Sequence, residues 1–166
     1  MLILGIDPGS SSTGFGLVRS DGSDLLHVHH SQVSLSSKKN TSQKLSRLYH
    51  ATMEIMDEYH PDLVAVEGIF YGPNVKSMIV LGQARGAAMV AVANCGLDIA
   101  EYPPTVVKQA VVGYGKATKE QVQQMVSVIL NLKQVSGEHA ADALAVAICH
   151  HHHQLLLSWE AKVKSS

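Results

Sequence analysis

Long apolar runs are missing from this 166-residue sequence. No stretch of about 18 uninterrupted apolar residues occurs, so no membrane span is expected. Cysteine is scarce. The two present, Cys95 and Cys149, lie in apolar helical surroundings and are expected as buried free thiols rather than a disulfide. Net charge is nearly absent at −1, which argues against a protein that grips nucleic acid by bulk positive charge. There is no internal repeat, and no low-complexity tract beyond the four histidines His150 to His153. The opening Met1-Leu2-Ile3-Leu4-Gly5 lacks the basic region and cleavage site of a secretory signal and reads directly into a strand. A cytoplasmic protein is the expectation.

What is present is apolar and unevenly charged. Apolar residues make up 46% of the chain, enough to bury a substantial core. The length fits one domain, expected over 1–157, with 158–166 as a C-terminal tail. Between residues 73 and 119 the basic residues Lys76, Arg85, Lys108, Lys116 and Lys119 face only Asp98 and Glu101. A near-neutral total therefore still leaves room for a DNA-binding face, above all if acidic residues elsewhere hold cations.

The pattern predicts strands at 2–7 and 14–19, with a third near 25–35 after the hairpin signal Asp21-Gly22. A helix capped by Thr41 or Ser42 follows and is stopped by Pro61. Residues 63–67 read as a buried strand, and 75–95 as a helix apolar around most of its circumference, a pattern that expects burial on more than one side. A short strand at 98–102 precedes helices at 104–112, from Lys119 to about Leu130 with Thr118 as cap, and from Glu138 to about Leu157. Three strands followed by helices alternating with two more strands make an α/β chain with a five-stranded mixed sheet flanked by helices.

Three acidic positions stand out. Asp7 closes the apolar run Leu2-Ile3-Leu4-Gly5-Ile6, and Glu67 closes Leu63-Val64-Ala65-Val66. Asp142 sits among Ala140, Ala141, Ala143 and Leu144. A carboxylate at the end of a buried strand is costly unless it binds something. If the two strands lie side by side, Asp7 and Glu67 meet at one end of the sheet. His139 and Asp142 are three apart and share a helix face. Four converging groups of this kind suit Mg²⁺ or Mn²⁺ and metal-assisted attack on a phosphodiester. Each residue has a plainer reading: Asp7 before Pro8-Gly9 as a turn former, Glu67 as a cap, Asp142 as a helix-surface carboxylate, His139 as an exposed helix-start residue. The run His150–His153 cannot share one face and reads as a solvated helix end.

The segments Gly5-Ile6-Asp7-Pro8-Gly9, Val66-Glu67, Leu81-Gly82-Gln83-Ala84-Arg85-Gly86, Val107-Lys108-Gln109 and His139-Ala140-Ala141-Asp142-Ala143-Leu144-Ala145 closely resemble, in order, the RuvC family of Holliday-junction resolvases. The resemblance implies a ribonuclease-H-like fold, a homodimer, and paired nicking of four-way DNA junctions in recombination and repair. It implies a divalent cofactor, Mg²⁺ with Mn²⁺ also effective, as two ions held by Asp7, Glu67 and Asp142. A branch-migration helicase complex is the implied partner. Many family members carry Asp where this chain has His139. Histidine is a recognisable variant there, and it can ligate metal or act on the attacking water or a phosphate. Phe70, with Tyr71 beside it, matches the family's aromatic that inserts at the junction centre, where it can stack on an unpaired base. The plainer alternative is a loop Phe folded into the core. Lys108 and Lys119 match basic positions able to hold a phosphate, and Arg85 serves packing or the dimer.

Other classes compete. Gly5 to Gly14 also looks like the first phosphate loop of actin-like ATPases and sugar kinases, but those proteins need a second lobe and a second loop. A junction binder without cleavage would not need Asp7, Glu67 and Asp142 together. A ribonuclease-H-like nuclease acting on RNA or other branched DNA is separated only by the Phe70 loop and Lys108. The 75–95 helix is the expected dimer interface.

Overall fold

The computed structural model describes residues 1–35, 40–68 and 74–164. Five strands form one sheet: β1 (Leu2–Pro8), β2 (Ser12–Asp21), β3 (Asp24–Ser34), β4 (Leu63–Glu67) and β5 (Ile99–Tyr102). Their order is β3-β2-β1-β4-β5. The first three pair as an antiparallel meander, and β1–β4 and β4–β5 are parallel. The sheet is thus mixed and five-stranded, as the pattern of elements predicts. Every residue of β1 is buried, as a central strand covered on both faces requires.

The two faces separate by the strand's period of two. On one face Leu4, Ile6, Phe15, Leu17, Val64 and Val66 pack under α1 (Thr41–Tyr59) and α2 (Val75–Asn94). On the other, Ile3, Val18 and Ala65 pack under α3 (Pro104–Val112), α4 (Lys119–Ile129) and α5 (Glu138–Lys164). Asp7 falls on the same parity as Ile3, and Glu67 on the same parity as Ala65. Both carboxylates therefore belong to the α5 face.

Helix α5 lies unusually close to the sheet. A Cβ on Gly5 would overlap the Ala143 carbonyl, and one on Gly14 would overlap the His139 carbonyl. These glycines lie on β1 and β2 beneath the helix, and Ala140, Ala143 and Ala147 on the helix are fully buried. Glycine opposite alanine removes the side chains that would hold helix and sheet apart, so backbone meets backbone.

Several expectations change. Helix α1 is capped by Asn40, one residue before the expected Thr41 or Ser42: its side chain accepts from Gln43 N at 3.0 Å, and Gln43 Oε1 accepts from Asn40 N at 3.2 Å. Asn caps as well as Ser and lets Gln43 complete a capping box. Thr118 caps α4 as expected. Helix α5 does not stop at Leu157 but continues to Lys164, since nothing in Ser158–Lys164 breaks a helix. Cys149 is buried and free, whereas Cys95 is exposed at the end of α2. The histidine run is not a solvated end. His150 and His151 are buried, and the Tyr102 hydroxyl shares a 2.8 Å hydrogen bond with His150 Nδ1. The long α5 carries the His150 ring onto Tyr102 of β5 and buries His151 beside it.

Helix α2 buries Ala84, Ala88, Ala91 and Val92 and leaves Val75, Ile79, Val80 and Val90 exposed. Among the described residues its buried positions fall on one side, not on several. By length and apolarity it would also pass for a bilayer span. Its alanine face lies in the core, however, and Arg85 is ion-paired to Glu101 of β5, the packing of a globular domain.

Candidate active site

The parallel pairing of β1 with β4 sets Ile6 opposite Val66, so the next residues, Asp7 and Glu67, stand at adjacent strand ends. Asp7 is only 4% exposed and Glu67 is half-buried. From above, the first turn of α5 delivers His139 and, three residues on, Asp142. His139 Nδ1 lies 2.6 Å from Asp7 Oδ2 and donates to it in the neutral tautomer that keeps Nε2 free. One ligand atom from each of Asp7, His139 and Asp142 falls within 4.8 Å of the others. A Cβ on Gly9 would meet the His139 ring at 2.6 Å, so this turn also has to be bare for the imidazole to reach Asp7.

Charge is concentrated here. Burial pushes the Glu67 carboxyl up to about 8, with the Asp7 and Asp142 carboxylates acting in the same direction. Burial also raises Asp142, while the hydrogen bond from Lys119 works against the rise. His139 is raised by its bond to Asp7, partly offset by burial. Burial alone would lower Lys119, but its bonds to Asp142 and Glu138 outweigh that and raise it. Lys119 Nζ lies 2.7 Å from Asp142 Oδ2 and 2.5 Å from Glu138 Oε1. Without a cation, then, a proton on Glu67, a readily protonated imidazole and one ammonium all offset the same carboxylates.

That donor set fits a divalent cation. The carboxylates of Asp7 and Asp142 supply hard oxygen ligands and the His139 imidazole adds nitrogen, while Glu67, raised first by burial and then by Asp7 and Asp142, stands beside Asp7 as a further carboxylate. Glu67, Asp142, Lys108 and Lys119 line one recess of about 210 Å³, with Pro104, Val107, Val122 and Ala145 as its walls.

All four expected site residues, Asp7, Glu67, His139 and Asp142, are thus brought together, and Lys108 and Lys119 join them. Phe70 and Tyr71 lie outside the described residues. Two features were not foreseen. One is the Lys119 bridge to Asp142 and Glu138; only the shared helix face of 138 and 142, four apart, could have hinted at it. The other is the glycine bed under α5, legible in Gly5 and in the alternation Gly14-Phe15-Gly16, which strips one face of a strand.

Comparison with known proteins bears directly on this assembly. The family model described as Crossover junction endodeoxyribonuclease RuvC matches residues 3–150. A crossover junction endodeoxyribonuclease RuvC of Geotalea uraniireducens is 52% identical over 150 residues, covering 90% of this chain and 88% of that protein. Another, from Citrifermentans bemidjiense, is 50% identical over 152 residues, covering 92% and 93%. Among solved structures, T. thermophilus RuvC in complex with Holliday junction substrate superposes with a TM-score of 0.89. It is 34% identical, and the match covers 94% of this chain and 96% of that one. The matched span contains both strand ends, the first turns of α5 and both lysines, and on that extent and identity the chain belongs to the RuvC family of crossover junction endodeoxyribonucleases.

Proposed function

We propose that this protein is a structure-selective endonuclease that resolves four-way Holliday junctions by paired, symmetric nicks in homologous recombination and DNA repair. The observation that carries the reading is the convergence of Asp7, Glu67, His139 and Asp142 at one end of the sheet, in a chain half identical to RuvC proteins. Asp7, Glu67 and Asp142, with His139 as a further ligand or as a base, hold Mg²⁺ or Mn²⁺, two ions per site. When bound, such ions activate water and offset the charge that builds on the phosphate during in-line displacement. Asp7 orients the His139 ring and leaves Nε2 to accept a proton from water or, once protonated, to donate to a phosphate. Lys108 and Lys119, at the recess beside Glu67 and Asp142, hold the scissile phosphate or its neighbour. Phe70, with Tyr71, stacks on an unpaired base at the junction centre.

A four-way junction has approximate two-fold symmetry, so two matching cuts call for a two-fold dimer. The exposed Val75, Ile79, Val80 and Val90 of α2 support that helix as the interface. The protein works in the cytoplasm beside a branch-migration helicase complex.

The test incubates the protein with a synthetic four-way junction, a linear duplex and an RNA–DNA hybrid, with and without Mg²⁺ or Mn²⁺. Paired cuts on the junction alone, only with cation, are expected. Asp7→Asn should bind the junction nearly as the parent does and fail to cut, because a carboxylate used in the transition state adds little to the grip on DNA. Preferential cutting of the hybrid would replace this reading with that of an RNA-directed nuclease.

A further inference from the structure

Lys119 is the first residue of α4, and its backbone is fixed by the capping box of Thr118 and Gln121, so its freedom is in the side chain. Its ammonium bridges two carboxylates one helical turn apart on α5. The two differ in setting. Asp142 belongs to the buried cluster, its side chain 19% exposed, while Glu138 lies outside the cluster with its side chain 64% exposed. The lysine therefore straddles the boundary between site and solvent.

We infer that Lys119 is the resident counter-cation of Asp142 and that Glu138 is a positioning residue that draws it aside when a divalent cation binds. This rests on the reading that such a cation sits at Asp142. An ammonium at hydrogen-bond distance from Asp142 Oδ2 and a divalent ion on the same carboxylate repel each other, so the two compete. A lysine with no second partner would remain on Asp142. With Glu138 one turn away, the ammonium gives up one carboxylate and keeps the other. It stays at the mouth of the site, where a backbone phosphate can replace Asp142 as its second partner. Glu138 touches neither cation nor substrate and acts through Lys119.

The test measures Mn²⁺ binding to the full chain without DNA, by the paramagnetic resonance signal of free Mn²⁺. The variants are Glu138→Gln, Lys119→Met and the pair combined; circular dichroism confirms that these surface changes leave the fold intact. Lys119→Met should bind Mn²⁺ about fivefold more tightly, because the competitor is gone, and Glu138→Gln about fivefold more weakly. The decisive comparison is the double variant. In the Lys119→Met background, Glu138→Gln should change affinity by less than about twofold. An equal loss with and without the lysine would mean that Glu138 acts by its own charge, and it would overturn the inference, as would a Lys119→Met that binds no tighter. Absence of Mn²⁺ binding by the parent at millimolar concentration would instead bring down the cation site itself, and the inference with it.

Discussion

Replacing Glu67 by Gln should make the cation-free protein more stable while removing its activity. Glu67 ordinarily titrates near 4.5 and is pushed up to about 8 by burial and by Asp7 and Asp142. Between those values the folded protein holds a proton that the unfolded chain has released. Stability from this group is complete below about pH 4.5 and declines as pH rises through 8. The interval corresponds to at most about 5 kcal/mol. Water entry and movement of the neighbouring carboxylates reduce that to roughly 2–3 kcal/mol. A neutral amide of the same shape lacks the penalty. For a domain of this size, Glu67→Gln should raise the melting temperature at pH 8, in chelator, by roughly 4–12 °C. At pH 5, where both side chains are neutral in the folded state, the advantage should shrink towards zero. Added Mg²⁺ should stabilise the parent strongly at pH 8 and the variant weakly. Calorimetry at the two pH values, with and without Mg²⁺, measures all of this. A variant equally or less stable than the parent at pH 8 in chelator, or a gain that does not change with pH, would refute the reasoning.

Three further outcomes follow from the same geometry. Gly14→Ala places a methyl group against the His139 carbonyl and should lift the start of α5, lowering stability by about 1–3 kcal/mol and single-turnover cutting by on the order of 100-fold; a melting curve beside the cleavage assay would show whether activity falls further than stability. Cutting should decline as pH falls through a value above the ordinary 6.5 of histidine, since the Asp7 bond favours imidazolium and imidazolium can neither ligate metal nor accept a proton; His139→Asp should remove that limb and improve the Mg²⁺ rate relative to Mn²⁺, read from pH–rate profiles in each metal. Phe70→Ala should bind intact junctions but resolve them poorly, and should recover on junctions already unpaired at the crossover, a cleavage comparison that equal rates on the intact junction would decide against.

The parts of the site legible in the sequence are those governed by short-range periodicity. A strand's period of two puts Asp7 on one face with Ile3 and Gly5, and Glu67 with Ala65. A helix's three-residue step puts His139 beside Asp142. Capping chemistry locates α4 at Thr118. The parts that were not legible depend on what lies across a gap in the chain. Asn40, Thr41 and Ser42 are all acceptable caps, and the choice of Asn40 follows from Gln43 three residues on. The burial of His150 and His151 reflects where α5 meets the sheet, which a run of four histidines conceals. The apolar circumference of α2 predicts burial on more than one side, yet among the described residues its buried positions are those of the alanine face.

The electrostatics of the site tie its cation dependence to its proton dependence. Asp7, Glu67 and Asp142 are held together by strand pairing and by a glycine bed that admits α5, not by attraction for one another. The sheet core on both faces sustains that repulsion. In the cation-free state three groups relieve it: the proton on Glu67, the His139 imidazole bonded to Asp7, and the Lys119 ammonium on Asp142. A divalent ion held by these carboxylates would supply the same compensation from one place, and would therefore compete with all three. Raising the pH removes the proton from Glu67 and shifts His139 toward neutral imidazole, and both changes favour the ion. The Mg²⁺ concentration needed for half-maximal cutting should therefore fall as pH rises from 6 to 8. Lys119 keeps its charge throughout that range, so its competition with the ion persists while that of the proton on Glu67 fades.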